Sequence, residues 1–355
     1  MESLTAIGWT DAFAKTWQEP NQEGLQPARV VADFGTSVRI ALPEIRTAEI
    51  AGKLAHYSER DDIPKVGDWV AVRVSDNGYS TVESVLPRAS QFVRKVAGKR
   101  TLKQVIAANV DMAFVILALD ADFSVERLKR YLYQLSSDNI KPIIVLNKAD
   151  KTDIAEEYVE QLADLKLPII VTSARNGMGV EAIRTFITPG RTAVLLGSSG
   201  VGKSTLTNQL LGAEIQQTQA VRASDSTGKH TTVHRELFVL PGGGLLIDTP
   251  GIRELQLWGS SEDLDQNFDD IIALAEQCKY TTCKHQAEVG CAVRQALQDG
   301  TLSAAHFANY TKMKQELVDL KVKTKVQKQS TNRRSYKNLK QHDKDTLQEM
   351  RDEIN

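Results

Sequence analysis

Gly197-Ser198-Ser199-Gly200-Val201-Gly202-Lys203-Ser204-Thr205 matches G-x-x-x-x-G-K-[ST], the pattern of a phosphate-binding loop. Thr192 to Leu196, just ahead of it, is apolar and reads as a buried strand. Leu206 to Leu211 behind it reads as the start of a helix, which Gly212 stops. Glycines let the backbone curl so that successive N–H groups face phosphate oxygens, and the helix N-terminus adds positive potential. Lys203 is placed to neutralise the β- and γ-phosphates, and the Ser204 hydroxyl to ligate Mg²⁺. A strand, a loop and a helix in that order predict a nucleotide-binding α/β domain.

Alternating strands and helices extend to both sides of this loop. Met112 to Leu119, Pro142 to Leu146 and Pro168 to Thr172 read as strands ahead of it, and Arg235 to Leu240 and Leu245 to Ile247 as strands behind it. The second of these strands runs into Asn147-Lys148-Ala149-Asp150. A carboxylate there accepts from the N1–H and exocyclic amine of guanine, donors that adenine lacks. Asn147 and the Lys148 stem brace the loop and cover the base. Ser173-Ala174, after the next strand, offers a backbone N–H to guanine O6. Asp248-Thr249-Pro250-Gly251 fits D-x-x-G, with Asp248 toward Mg²⁺ and the Gly251 N–H toward the γ-phosphate. In Gly228-Lys229-His230-Thr231-Thr232, Thr232 is chosen over Thr231 as the hydroxyl that reaches Mg²⁺.

The order of these motifs is rearranged. Ordinary GTPases run from the phosphate loop to D-x-x-G and only then to N-K-x-D, whereas here N-K-x-D comes first. Termini moved to surface loops leave the packing contacts intact, so the domain is read as circularly permuted. Ile252 stands where many signalling GTPases carry a water-orienting glutamine, and an aliphatic chain cannot hydrogen-bond that water. His230 is a candidate to orient or accept from water, against the plainer reading of an exposed loop histidine.

The flanks differ from this centre. Trp9, Phe13 and Trp17 are spaced by four, as in a short amphipathic helix packed on the body, with a partner-binding helix as the less favoured reading. Ala28 to Asp33, Ser37 to Leu42, Glu49 to Ala55, Asp68 to Val74 and Ser80 to Leu86 read as five short strands of a small barrel. An oligonucleotide-binding barrel and a mere spacer are about equally supported. Arg88 to Val110 holds Arg88, Arg94, Lys95, Lys99, Arg100 and Lys103 with no acidic residue, as a solvated linker or a phosphate-backbone contact would. Beyond Trp258 the pattern is helical and polar, and from Lys312 to Lys340 ten basic residues face only Glu316 and Asp319. The three cysteines all fall in Cys278-x4-Cys283-x-His285-x5-Cys291, four N/S ligands suited to a structural Zn²⁺. The net charge of −1 confines nucleic-acid contact to local patches. Met1 to Asp11 lacks the features of a signal peptide and no apolar run reaches 18 residues, so the expected location is the cytoplasm.

Together these motifs resemble the RsgA (YjeQ/YloQ) family of circularly permuted GTPases that act in maturation of the bacterial small ribosomal subunit. Val66-Gly67-Asp68-Trp69-Val70, Ala108-Asn109-Val110-Asp111 and Ser173-Ala174-Arg175 extend the likeness, so that it covers nearly the whole chain. The resemblance implies an OB-fold β-barrel (27–96), a circularly permuted α/β P-loop GTPase domain (97–257) and a mostly helical zinc-binding domain (258–355), while the N-terminal extension (1–26) and the basic C-terminal tail depart from the family pattern as variants within it. It implies GTP hydrolysis stimulated by the 30S subunit, contact with 16S rRNA and a hydrolytic role for His230. Neither membrane nor DNA is expected as a partner, and the chain is expected to act as a monomer. A rival reading is a GTP-gated protein-binding module with no ribosomal role.

Overall fold

The computed structural model describes residues 2–17, 24–42, 44–57, 63–75, 79–96, 102–138, 140–214, 235–249 and 255–326. They fall into two units: Met1–Arg94 with Lys103–Gln256, and Lys95–Leu102 with Leu257–Asn355. His230, Thr232, Gly251, Ile252 and the basic tail past residue 326 lie outside the described residues.

The first unit starts with helices α1 (Glu2–Thr5) and α2 (Asp11–Trp17). Strands β1 (Gln26–Asp33), β2 (Ser37–Leu42) and β3 (Glu44–Ile50), helix α3 (Gly52–Tyr57), and strands β4 (Trp69–Arg73) and β5 (Ser80–Val85) follow. The strand order β1-β2-β3-β5-β4 closes on itself through pairing of β1 with β4, which makes a five-stranded barrel. Alternate residues Val30, Val38, Ile40, Val70, Val72 and Val82 fill it. Register shifts between Val30 and Ala32 and between Ala71 and Val72 curl the sheet so that it can close. The third strand lies earlier than the expected Glu49 to Ala55, and part of that stretch is helix α3 instead. Residues Glu44 to Thr47 of β3 are all exposed, so this strand carries no apolar alternation to reveal it.

The N-terminal aromatics pack on this barrel. The Trp9 ring meets Trp69 edge-on at 4.6 Å between centroids, and Phe13 lies 5.9 Å from the same indole. Phe13 lies in α2 and Trp9 just ahead of it, not in one helix as their spacing suggested, and both are buried, so the segment completes the body rather than presenting a free aromatic face.

Two further strands, β6 (Gln91–Lys95) and β7 (Lys103–Ala108), form a separate ribbon. The basic stretch Arg88 to Val110, expected to be a solvated linker or a phosphate-backbone contact, therefore contains two strands. Its charges are also not all unopposed. Arg88 makes a paired contact with buried Asp68, Nε to Oδ1 and an Nη to Oδ2 both at 2.7 Å, and Arg94 donates to Gln104 at 3.2 Å. Asp68 is twenty residues away, beyond the reach of a charge count taken within the segment.

The GTPase sheet consists of β8 (Met112–Ala118), β9 (Lys141–Asn147), β10 (Ile169–Val171), β11 (Thr192–Leu196), β12 (Glu236–Val239) and β13 (Leu245–Asp248). Its order is β10-β9-β8-β11-β13-β12, parallel except for the antiparallel strand β12, which pairs on its other side with β1. Helices α4 (Val125–Ser137), α5 (Ala155–Glu160), α6 (Val180–Phe186) and α7 (Lys203–Leu211) cover it. Successive residues of each strand enter opposite cores. Val115, Leu117, Val194 and Leu196 join Leu128, Tyr131 and Leu135 of α4, whereas Phe114, Ile116, Ala193 and Leu195 join Ile183 of α6 and Leu206 and Leu210 of α7. Burial on both faces explains why these strands read as continuous apolar runs.

Barrel and GTPase sheet share one unit, and Ala32 of β1 pairs with Glu236 of β12. Arg29 lies fully buried at their junction. It donates to the carbonyls of Gly67 (3.3 Å), Asn109 (3.2 Å) and Ile7, and to Thr192 Oγ1 (2.8 Å). Burial pulls its pKa down to about 10, against the attraction of Asp111 and Asp68, and leaves it charged at neutral pH. The V-G-D-W-V and A-N-V-D motifs are thus joints. Asp68 holds Arg88, Trp69 receives the N-terminal aromatics, and the Asn109 amide donates to the Gly67 carbonyl at 3.0 Å. Gly67 has φ +92°, and a Cβ there would sit 2.1 Å from the Ala108 carbonyl oxygen. A Gly67→Ala variant should lose at least about 2 kcal/mol, from a disfavoured backbone and a rigid clash. A fall in the urea midpoint at constant slope would show it.

The second unit holds helices α8 (Ser261–Asp265), α9 (Asp269–Glu276), α10 (Ala292–Gln298) and a long helix, α11, over 304–326. Leu264, Phe268, Ile271, Val293, Met313 and Leu317 are among its buried apolar residues. The Tyr310 ring packs 5.2 Å from Phe268, and its hydroxyl donates to Asp265 at 2.9 Å. Among the described residues no helix is long and apolar enough to cross a membrane.

Candidate functional site

The phosphate-binding loop leaves the C-terminal end of β11 at the centre of the sheet and enters α7 at Lys203. Lys203 Nζ lies across the loop, donating to the carbonyls of Gly197 (2.8 Å) and Ser198 (2.6 Å). Burial lowers its pKa to about 8, and Asp248 pulls the other way. A phosphate arriving there would favour the charged form further. Gly202 has φ +99°, and a Cβ on it would stand 2.3 Å from the Asn147 amide nitrogen. The last glycine of the motif is therefore required by the base loop as well as by the turn.

Asn147 joins the two halves of the site. Its amide donates to the Val201 carbonyl at 2.7 Å, and its Oδ1 accepts from Thr172 Oγ1 (3.1 Å) and from the Ala174 N–H (2.9 Å). Of the Ser173-Ala174 pair expected to offer an N–H to guanine O6, the Ala174 N–H is thus engaged with Asn147, and the Ser173 N–H donates to the Met178 carbonyl at 3.0 Å. Ser173 contributes its hydroxyl, which donates to Asp150 Oδ1 at 2.6 Å and holds that carboxylate below its ordinary pKa. Asp150 is exposed and ionised, poised to accept from a base. Lys148, in the left-handed region at φ +68°, pairs with Asp120 at 2.8 Å, which fixes its stem.

Asp248 is buried at the end of β13, and the neighbouring Thr249 hydroxyl donates to the Leu195 carbonyl at 2.8 Å. Lys203, Asn147, Asp150, Ser173 and Asp248 all sit at the C-terminal ends of parallel strands, where sheets of this type bind ligands. Three residues absent from the sequence reading also belong here. Asp120 holds Lys148, while Asp122 and Arg127 both bond Ser198 Oγ, at 2.6 and 3.0 Å. Their signal was positional: Asp120 lies two residues past the end of β8, at the same edge of the sheet.

The second unit carries the other cluster. The ligand atoms of Cys278, Cys283, His285 and Cys291 lie within 4.8 Å of one another. Cys278 Sγ stands 3.8 Å from Cys291 Sγ and 3.6 Å from His285 Nδ1, and His285 Nδ1 is 3.4 Å from Cys291 Sγ. With Zn–S about 2.3 Å and Zn–N about 2.0 Å, a tetrahedral ion requires S···S near ~3.8 Å and S···N near ~3.5 Å. The donor set fits zinc in both chemistry and spacing.

Residues 85–258 match the model of the RsgA GTPase family. A protein of Opitutus terrae, named small ribosomal subunit biogenesis GTPase RsgA, is 42% identical over 330 residues, which cover 88% of this chain and 89% of that one. One of Syntrophotalea carbinolica with the same name is 38% identical over 349 residues, 95% of this chain and 96% of that one. The crystal structure of YjeQ from Thermotoga maritima superposes with a TM-score of 0.58 at 24% identity, over 83% of this chain and 99% of that one. The crystal structure of YloQ, a circularly permuted GTPase, gives 0.55 at 22%, over 85% and 98%. The two structures share the fold.

Proposed function

Because this chain belongs to the RsgA GTPase family, we propose that it hydrolyses GTP in the service of small ribosomal subunit maturation, with the 30S particle as its activator. The observation that carries the reading is the Asn147–Val201 bond, which locks a guanine-selective loop onto a phosphate loop. Asn147, Lys148, Asp150, Ser173 and Ala174 form the base side of the site. Gly197 to Thr205, Asp248 and Gly251 form the phosphate side. Ser204, Thr232 and Asp248 would hold Mg²⁺, which supplies charge neutralisation to the phosphates when bound.

Lys203 brings positive charge to the β- and γ-phosphates from a partly desolvated position, where it acts more strongly than in water. No glutamine follows Gly251, so orientation of the attacking water falls to His230 in the first switch, with Thr232 beside it. A His230→Ala protein should lose at least about tenfold in stimulated turnover while binding GTP normally. Turnover equal to wild type would remove His230 from the mechanism.

The domain division set out from the sequence accompanies this reading. The barrel, the ribbon around Lys95 and Lys103 and the tail from Lys312 to Lys340 supply phosphate contacts to 16S rRNA, and the protein works as a cytoplasmic monomer. The deciding experiment is GTP turnover with and without purified 30S subunits, alongside salt-dependent co-sedimentation. Stimulation and salt-sensitive binding support the proposal. Neither effect at low salt would leave a GTP-gated protein-binding module as the better account.

A further inference from the structure

Helix α4 touches the nucleotide site from behind, and three residues on one of its faces do so in a patterned way. Arg127, Arg130 and Tyr131 are spaced i, i+3 and i+4, which places them together on a helix surface. Two of them hold the phosphate loop. Arg127 Nη1 donates to Ser198 Oγ (3.0 Å) and to Asp122 Oδ2 (2.7 Å), and Ser198 Oγ donates to the same carboxylate at 2.6 Å. The buried Tyr131 ring packs in the same core as Leu196, the residue just ahead of Gly197. These contacts brace the start of the loop.

Arg130 faces a different segment. Its Nη2 donates to the Leu255 carbonyl at 2.9 Å, and the Leu255 side chain is buried in the same core cluster as Leu128 and Tyr131. Leu255 is the first described residue after the D-x-x-G motif, and the first unit ends one residue later, at Gln256. On the other side of the motif, Thr249 is tied to the Leu195 carbonyl of the strand that feeds the phosphate loop. The described residues on either side of the motif are therefore anchored, one to β11 and the other to α4. Both anchors are also supports of the phosphate loop.

We propose that Arg130 is a positioning residue for GTP hydrolysis, acting through the Leu255 carbonyl, and that α4 links the phosphate loop to the chain leaving the D-x-x-G motif. Arg127 and Tyr131 set where the phosphates lie. Arg130 sets where Leu255, four residues past Gly251, is held relative to them. A fixed end lowers the entropic cost of ordering the intervening chain. The two arginines should consequently have separable effects, Arg127 on nucleotide affinity and Arg130 on turnover. The inference rests on the GTPase reading above.

The test compares full-length Arg130→Met, Arg130→Lys and Arg127→Met proteins, reading the dissociation constant of a fluorescent GDP analogue and single-turnover GTP hydrolysis with and without 30S subunits. Arg130→Met keeps the apolar stem but removes the donor. It should hydrolyse GTP at least fivefold more slowly, with affinity within twofold of wild type. Arg130→Lys retains a donor and should recover more than half of the lost rate. Arg127→Met should weaken nucleotide binding about tenfold. Thermal melts establish that each variant is folded at the assay temperature, and the equally donor-less Arg130→Leu replaces the Met variant should the latter melt below it. Full hydrolysis by the donor-less variant, or equal losses of rate and affinity, would overturn the proposal. Wild-type protein that 30S subunits fail to stimulate would count against the ribosomal reading alone, because the Arg130 comparison still reads out in the unstimulated rate.

Discussion

An Asp150→Asn protein should bind GTP at least about a hundredfold more weakly than wild type and bind xanthosine triphosphate in its place. The exposed carboxylate is oriented by the Ser173 hydroxyl at 2.6 Å and held ionised, so it offers acceptors and no donor. Two hydrogen bonds from guanine to a charged acceptor contribute about 1.5–3 kcal/mol each, a combined factor of roughly 10²–10⁴ in affinity. An asparagine has one acceptor and an amide donor. The amide would face the exocyclic amine of guanine donor to donor, whereas xanthine presents a carbonyl oxygen at that position. Competition of fluorescent GDP binding by GTP, XTP and ATP measures the exchange. Unchanged GTP affinity in the variant would mean that the base is read elsewhere, and ATP competing equally with GTP in wild type would contradict guanine selection altogether.

The second large effect concerns the zinc cluster. Replacing Cys283 by serine, or chelating the metal, should unfold much of the second unit and drop its metal content from one ion to none. Structural zinc sites in small domains supply about 10–16 kcal/mol of apparent binding energy, which is folding energy for the segment that carries them. Here the four ligands close a span of fourteen residues between α9 and α10, and Cys291 itself caps α10 by accepting from the Arg294 N–H. The unit's other buried side chains, Leu264, Phe268, Ile271, Met313 and Leu317 among them, lie outside this fourteen-residue span, which holds only Cys291 buried. Metal analysis together with limited proteolysis should show both losses. GTP affinity should remain within twofold, because the nucleotide-site residues all belong to the first unit. Retained protease resistance in a zinc-free protein would show that the helices stand without the ion.

Not all of the site was open to inspection of the residues. Motifs whose chemistry resides in consecutive positions were legible: a glycine-rich turn, a strand ending in N-K-x-D, and four N/S ligands within a short span. Contacts across the fold were not. Asp120 and Lys148 are twenty-eight residues apart, and Asp122 and Ser198 seventy-six. Nothing in the local sequence pairs Asp120 with Lys148 or Asp122 with Ser198. Strand β3 escaped placement because its exposed face hides its period, and the β6–β7 ribbon because its charges masked a pairing of strands.

By itself the amino-acid sequence determined the guanine-nucleotide motifs, the permuted order of the GTPase domain and a cluster of four N/S side chains suited to zinc. Each of these depends on residue type at short spacing, and the covalent chain sets that geometry. Tertiary structure alone decided what the remaining motifs are for. Only folding places Arg29 of the barrel against Thr192 of the phosphate-loop strand, Arg88 against Asp68, and Arg130 against the Leu255 carbonyl. The physical reason lies in burial. A charge removed from water must find its partner in space, and that partner belongs to whichever segment the packed core brings alongside.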